Sequence, residues 1–387
     1  MKSILSLYFL IAFAIGTDTF LVSPLLPTLR QQFHISVEAS GWMIGAYALG
    51  YALFALIAGP LSDGLNRKKI MLIGILGFAV STFLCGLAWN FWSMFAFRAL
   101  AGIFAAFMSP QVWATIPVLV PASKVTKSMG IVSAGFAVSQ TVGVPIGSYL
   151  ATYSWKMPFF IIGGIALALF ALILWIVPQF KPAAAGRQPS IMDRYAELLG
   201  ANGAKGSYLA FFAMLTGAFA VFTFIGNWLS DKFGMNVSEI GQVFIFMGLG
   251  NLIGSFVGGH AAARLGGRNV LLGGIGMMAM LYLMLNLAAS PLLVHLCFFV
   301  LYLVFGTVFP IMMALFQTLS STARGTSAAL TNVVNYAATT AGAYIAGIVY
   351  AQLNGFFGLT VFALLCCAVS IGLWVKSGTA VAIKRSV

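Results

Sequence analysis

Charge is what this sequence has least of. Only 7% of its 387 residues are Asp, Glu, Lys or Arg, and just 7 residues are acidic. Soluble domains carry roughly 25% charged residues. With 61% of the chain hydrophobic, a soluble fold is excluded, because too few charges remain to cover its surface. Cysteine is scarce as well. Cys85, Cys297, Cys366 and Cys367 stand in apolar runs without disulfide or zinc spacing, which marks them as packing residues. His34, His260 and His295 have no metal-ligand company. There is no His-Glu-x-x-His, no Gly-x-Ser-x-Gly, no nucleotide-binding loop and no pair of intramembrane aspartates. The chain is therefore expected to be neither an enzyme nor the carrier of a cofactor or metal.

What it has in abundance is apolar length. Runs bounded by charge, Pro or Gly predict twelve spans, at 4–27, 39–60, 70–88, 92–118, 128–151, 158–178, 207–228, 239–259, 269–289, 292–316, 327–351 and 356–376. Backbone polar groups cannot stay unpaired in lipid, so each span must be helical and the fold class is all-α integral membrane. Lys2 and the apolar run after it resemble a signal peptide, but the run continues well past Ala12-Phe13-Ala14 and is long enough to cross the bilayer. With the N-terminus inside, sixteen Lys and Arg face the cytoplasm and only Arg30, Lys156 and Lys232 lie outside. That bias predicts a cell-membrane protein with both termini cytoplasmic. It also accounts for the net charge of +13 without a nucleic-acid partner.

The longest polar stretch splits the spans six and six. The expected domains are 1–178, a cytoplasmic linker at 179–206 whose "IMDRYAELLG" reads as a short amphipathic helix, and 207–387. Asp193 and Glu197 in that helix are expected to be solvated. The halves repeat at an offset of 200 residues: Gly59, Leu65, Lys68, Pro110 and Gly147 match Gly259, Leu265, Arg268, Pro310 and Gly347. Two parallel six-helix repeats imply a central substrate cavity opened to either side by rocking. A single chain holding both repeats is expected to act as a monomer in the bilayer.

This organisation resembles the major facilitator superfamily over nearly the whole chain. "GPLSDGLNRKK" (59–69) is similar to the family's loop motif through Gly59, Leu61, Asp63, Arg67 and Lys68, with Asn66 where Gly is usual. Asn tolerates the left-handed backbone expected of such a turn. Asp63 is expected to face helix N-termini or Arg67. Arg98 and Gly102 resemble the fourth-span Arg-x-x-x-Gly pattern, and Gly135, Gly143, Pro145 and Gly147 resemble the fifth-span antiporter motif. The variant Gly-Val-Pro-x-Gly is similar to the branch that exports sugars, purines and drugs. Gly135, Ser139, Gly143 and Gly147 recur every four residues and line one face, which is equally the signature of close helix packing.

Asp18, in "AIGTDTFLVSPLLP" (14–27), is the one acid well inside a span. An intramembrane carboxylate is costly and a candidate for proton exchange. The alternative is a hydrogen-bonded structural acid, or a cap for backbone freed by Pro24 and Pro27. Exporters of the resembling branch usually carry their acid one residue later, at the position of Thr19, and one residue turns a helix by about 100°. Arg98, equally costly in lipid, is expected to face the protein interior and tune coupling. Tyr47, Trp113, Gln140, Asn227, Asn332 and Asn335, together with Asp18, are the candidate substrate-binding residues. The resemblance implies a proton-coupled efflux antiporter of small organic compounds. The alternative is a uniporter or importer of a small neutral solute, such as a sugar or nucleobase, with Asp18 as a fixed binding group.

Overall fold

In a computed structural model the chain is described over residues 2–63, 66–121, 124–180, 191–319 and 324–378. No strand occurs among the described residues. Among the described residues twelve long helices follow one another, each over most of one predicted span. They are α1 (Lys2–Phe33), α2 (Trp42–Asp63), α3 (Arg67–Gly86), α4 (Phe91–Leu119), α6 (Met157–Ile176), α7 (Ala204–Phe233), α8 (Val237–Leu265), α9 (Gly267–Asn286), α10 (Pro291–Thr318), α11 (Arg324–Gln352) and α12 (Phe356–Ser377), with α5 built differently. α5 consists of two α-helical pieces, Val125–Val138 and Val144–Ala151, joined by the π-helical turn Ser139–Gly143. Eleven of the twelve are both long and apolar enough to cross a membrane among the described residues. The other, α11, has 29 residues but carries Thr331, Asn332, Asn335, Thr339 and Thr340 along its length.

The repeat seen in the sequence is also a repeat of helix ends. α3 and α9 each have 20 residues, with both bounds 200 apart. α1 stops at Phe33, before His34 at φ 49°, and α7 stops at Phe233, before Gly234 at φ 65°. A left-handed residue at this point ends a helix, and glycine adopts it without a Cβ penalty. Asn90 and Ser290 accept the backbone N–H groups of Ser93 and Leu293 and so cap α4 and α10.

Contacts divide the chain into two compact units. The first comprises Met1–Ser36, Trp42–Gln188 and Met235–Phe244, the second Val37–Gly41, Pro189–Gly234 and Ile245–Val387. In the first, α4 packs on α2 and α3, α3 on α6, and α1 on α5 and α6. In the second, α7 packs on α11 and α12, and α9 on α10 and α12. The helix Ile191–Gly200 lies against α7 and α11 with Leu198 fully buried and Asp193 and Glu197 exposed. Polarity is inverted relative to a soluble protein: Leu53, Ile73, Phe256 and Trp175 are exposed, while Asp18 and Arg98 are fully buried. Such a surface suits lipid.

Glycine sets the closest helix contacts. A Cβ on Gly102 of α4 would overlap the Tyr47 carbonyl of α2, and one on Gly50 of α2 would overlap the Ala99 carbonyl of α4. The same pair recurs 200 residues on, where Gly250 abuts the Phe299 carbonyl. Gly102→Val is expected to wedge α2 from α4 and cost about 1–3 kcal/mol, as overpacking does. Thermal unfolding in detergent measures this, with Gly164→Ala as the neutral control because nothing lies within 4 Å of its Cβ position.

Candidate functional site

The site in the first unit begins with a pair of opposite charges. Asp18 on α1 and Arg98 on α4 meet with Nη1 2.7 Å from Oδ2, and neither side chain reaches solvent. Arg98 also donates from Nη1 to the Asp18 carbonyl at 3.4 Å and from Nε to the Met43 carbonyl at 3.3 Å. Its guanidinium lies 4.7 Å from the centroid of the Tyr47 ring, a cation–π contact that further offsets the cost of the buried cation. Three helices thus hold one arginine. Two atoms are left over: Asp18 Oδ1 and Arg98 Nη2 are buried without a hydrogen-bond partner. A polar atom left unpaired in such a place marks room for water or for a change of partner.

The fifth span meets this pair through α1. Three glycines of α5 face that helix: Gly135 the Phe9 carbonyl, Gly143 the Thr17 side chain and Gly147 the Leu21 side chain, while Gly16 faces Ser139. In a pure α-helix a four-residue repeat drifts about 40° per step. The π turn winds less per residue, which keeps the four positions on one face. The small face is therefore a packing surface for the helix that carries Asp18, touching the residue next to it. Pro145, half-buried, opens the last α-helical piece, and Gln140 is buried inside the π turn.

Gly59 and Asp63 of the loop motif lie outside the residues whose side chains are described. The rest of the motif corrects one expectation. Asn66 is extended, at φ −67° and ψ 111°, rather than left-handed, and its side chain caps α3 by accepting the Lys68 N–H at 3.0 Å. Asparagine replaces glycine here because a cap needs a side-chain oxygen. The Asn66 amide also donates to the Gln179 side chain. Lys68 Nζ donates to the Leu174 carbonyl at 2.8 Å, at the negative end of α6, and Arg67 is half-buried at the start of α3.

The other candidates are dispersed. Trp113, half-buried on α4, lines a crevice between α1, α4 and α5 with Ile15, Ser109 and Phe136. In the second unit Asn227 is buried on α7 with Oδ1 unpartnered, and Asn332 and Asn335 are half-buried one turn apart on α11, which packs on α7. Sequence reasoning passed over several buried hydroxyls: Tyr8, bonded to Thr115 at 2.8 Å, and Tyr51, whose hydroxyl meets Ser109. It also passed over Gln111, buried with its amide unpartnered. Ser, Thr and Tyr are ordinary packing residues in membrane helices, so only their pairing sets these apart.

The family model for the Major Facilitator Superfamily matches residues 8–204 and 207–385. The chain belongs to the major facilitator superfamily. It is a transporter fold, not an enzyme, and a multi-pass membrane protein. Among curated relatives it is 46% identical over 368 residues to the uncharacterized MFS-type transporter YceJ of Bacillus subtilis (strain 168), covering 95% of this chain and 94% of that one. It is 32% identical to multidrug resistance protein 1 of the same organism, over 57% of each chain. A probable sugar efflux transporter of Helicobacter pylori (strain ATCC 700392 / 26695) is 29% identical over 65% of this chain and 64% of that one. Among solved structures, a bacterial homolog to the human lysosomal transporter Spinster, in an inward-facing and occupied conformation, shares the fold. Its TM-score is 0.78 at 16% identity, covering 100% of this chain and 97% of that one.

Proposed function

We propose that this chain is a proton-coupled efflux antiporter of small organic compounds in the cell membrane, working as a monomer by alternating access with both termini cytoplasmic. The observation that carries the reading is the Asp18–Arg98 pair, sealed inside the first unit with one oxygen and one nitrogen unpartnered. Asp18 is also the one acid well inside a span in the whole sequence. Protonating Asp18 removes the anion that neutralises Arg98, and a buried cation left alone is strongly unfavourable. Two protonation states therefore favour two arrangements of α1 against α4, as an exchanger requires. Relatives named for multidrug resistance and sugar efflux support the outward direction. The fixed-binding-group alternative needs a carboxylate open to substrate, whereas that of Asp18 is enclosed, with one oxygen bonded to Arg98.

The membrane potential limits what such a machine can do. One proton entering is worth about 2.3 kcal/mol per 100 mV, which sustains roughly a 50-fold gradient of a neutral compound at 1.4 kcal/mol per tenfold. The test is proton flux in proteoliposomes against a panel of cationic dyes, sugars and nucleobases. At least one compound is expected to drive protons against its own movement. Transport of a panel compound at a rate indifferent to the pH gradient would refute the coupling.

A further inference from the structure

We propose that the transported compound is uncharged and is recognised by hydrogen bonds to Asn332 and Asn335 of α11, a reading that rests on the exporter proposed above and names its substrate class. Of the twelve long helices, α11 is the one that falls short of the apolarity of a span. Its threonines are satisfied within the helix. The hydroxyls of Thr331, Thr339 and Thr340 donate to the carbonyls of Ser327, Asn335 and Tyr336 at 2.7, 2.9 and 2.9 Å. The two carboxamides are different. Both are half-buried, and no described residue hydrogen-bonds to either.

The fold does not require them there. At the offset of 200 residues, Asn332 and Asn335 match Val132 and Gly135 of α5. In the first unit Val132 is buried, and Gly135 lies so close to α1 that its Cβ position meets the Phe9 carbonyl. The same place in the repeat is filled by close packing in one half and by free amides in the other. An amide without a partner is costly against lipid. This side of α11 therefore borders water, and the two side chains stand there as neighbours one turn apart.

The second half offers no charge to a compound within its spans. Residues 206–230, 240–259, 269–286, 296–318, 325–352 and 356–375 contain no Asp, Glu, Lys, Arg or His. In the first half Asp18 and Arg98 neutralise each other out of reach of solvent. A charged compound against these helices would go unpaired, which is strongly unfavourable away from water. A neutral one needs no counter-charge. Each carboxamide offers two N–H donors and an oxygen with two lone pairs. Two of them side by side suit a compound that both donates and accepts, such as a nucleobase edge or the adjacent hydroxyls of a sugar. Exchange of such a compound for one proton moves one net charge, so the membrane potential drives efflux along with the pH gradient.

Equilibrium binding to the purified protein in detergent tests this without any proton movement. The probes are adenine, uracil, D-glucose and lactose, with tetraphenylphosphonium as a lipophilic cation. At least one neutral probe is expected to bind, and tetraphenylphosphonium is expected not to. Asn332→Leu and Asn335→Leu keep the size of the side chain but remove the amide. Each is expected to weaken binding of the neutral probe by on the order of tenfold or more, with an unchanged profile in gel filtration. Thr340→Val removes a hydroxyl already tied to its own helix and is expected to leave the affinity alone. Wild-type affinity in either leucine variant, binding of tetraphenylphosphonium, or failure of all four neutral probes would overturn the inference. None of these results bears on proton coupling, which the flux in proteoliposomes decides.

Discussion

Asp18→Asn is expected to abolish proton release on addition of a transported compound to the purified protein, while binding of a neutral compound survives and loses its pH dependence. Asparagine keeps the size and one acceptor oxygen but cannot ionise, and no other acid lies deep in a span to replace it. The substitution also strands Arg98, whose anionic partner is the Oδ2 atom 2.7 Å away. Breaking a buried pair from one side costs about 3–5 kcal/mol, so the variant is expected to melt earlier in detergent. The double variant Asp18→Asn/Arg98→Gln separates the two effects. Removing the stranded cation should recover much of the lost stability but none of the proton release. Undiminished release from Asp18→Asn would leave the carboxylate with only a structural part.

Gly143→Leu is expected to eliminate efflux from cells that hold normal amounts of the protein in the membrane. The Cβ position of Gly143 already overlaps the Thr17 hydroxyl and lies 3.1 Å from the Thr17 Cβ and Cγ2 atoms. A branched side chain there must push α1 off α5 next to Asp18 and spoil the alignment of its carboxylate with Arg98. Overpacking of this kind costs about 1–3 kcal/mol in stability, a modest loss beside the complete loss of transport. Gly130→Leu is the control, because nothing lies within 4 Å of its Cβ position on the same helix. Immunoblotting of membranes alongside dye efflux distinguishes lost function from lost protein. Normal efflux by Gly143→Leu would mean that the contact between α5 and α1 plays no part in transport.

Much of this fold is written in the composition, because the bilayer leaves few choices. Long apolar runs must be helices when their backbone groups have no water to bond. For the same reason the spans were legible even where Pro24 and Pro27 fall inside α1, which continues through both to Phe33. The 200-residue repeat was legible because both halves keep matched residues in one register, as at Gly147 and Gly347, each of which lies close against another helix. The cost of charge in lipid singled out Asp18 and Arg98 one at a time. Which groups face each other is set by packing, not by local pattern. That Asp18 meets Arg98 across 80 residues of chain, with Tyr47 against the guanidinium, depends on the rotation of three separate helices. Likewise, the every-fourth-residue pattern of α5 did not reveal its partner. A π turn and four contacts assign that face to α1, and Asn66 proved a cap in an extended conformation rather than a left-handed turn. Periodicity gives the face of a helix, but the neighbour that fills that face is chosen by packing between segments far apart in the chain.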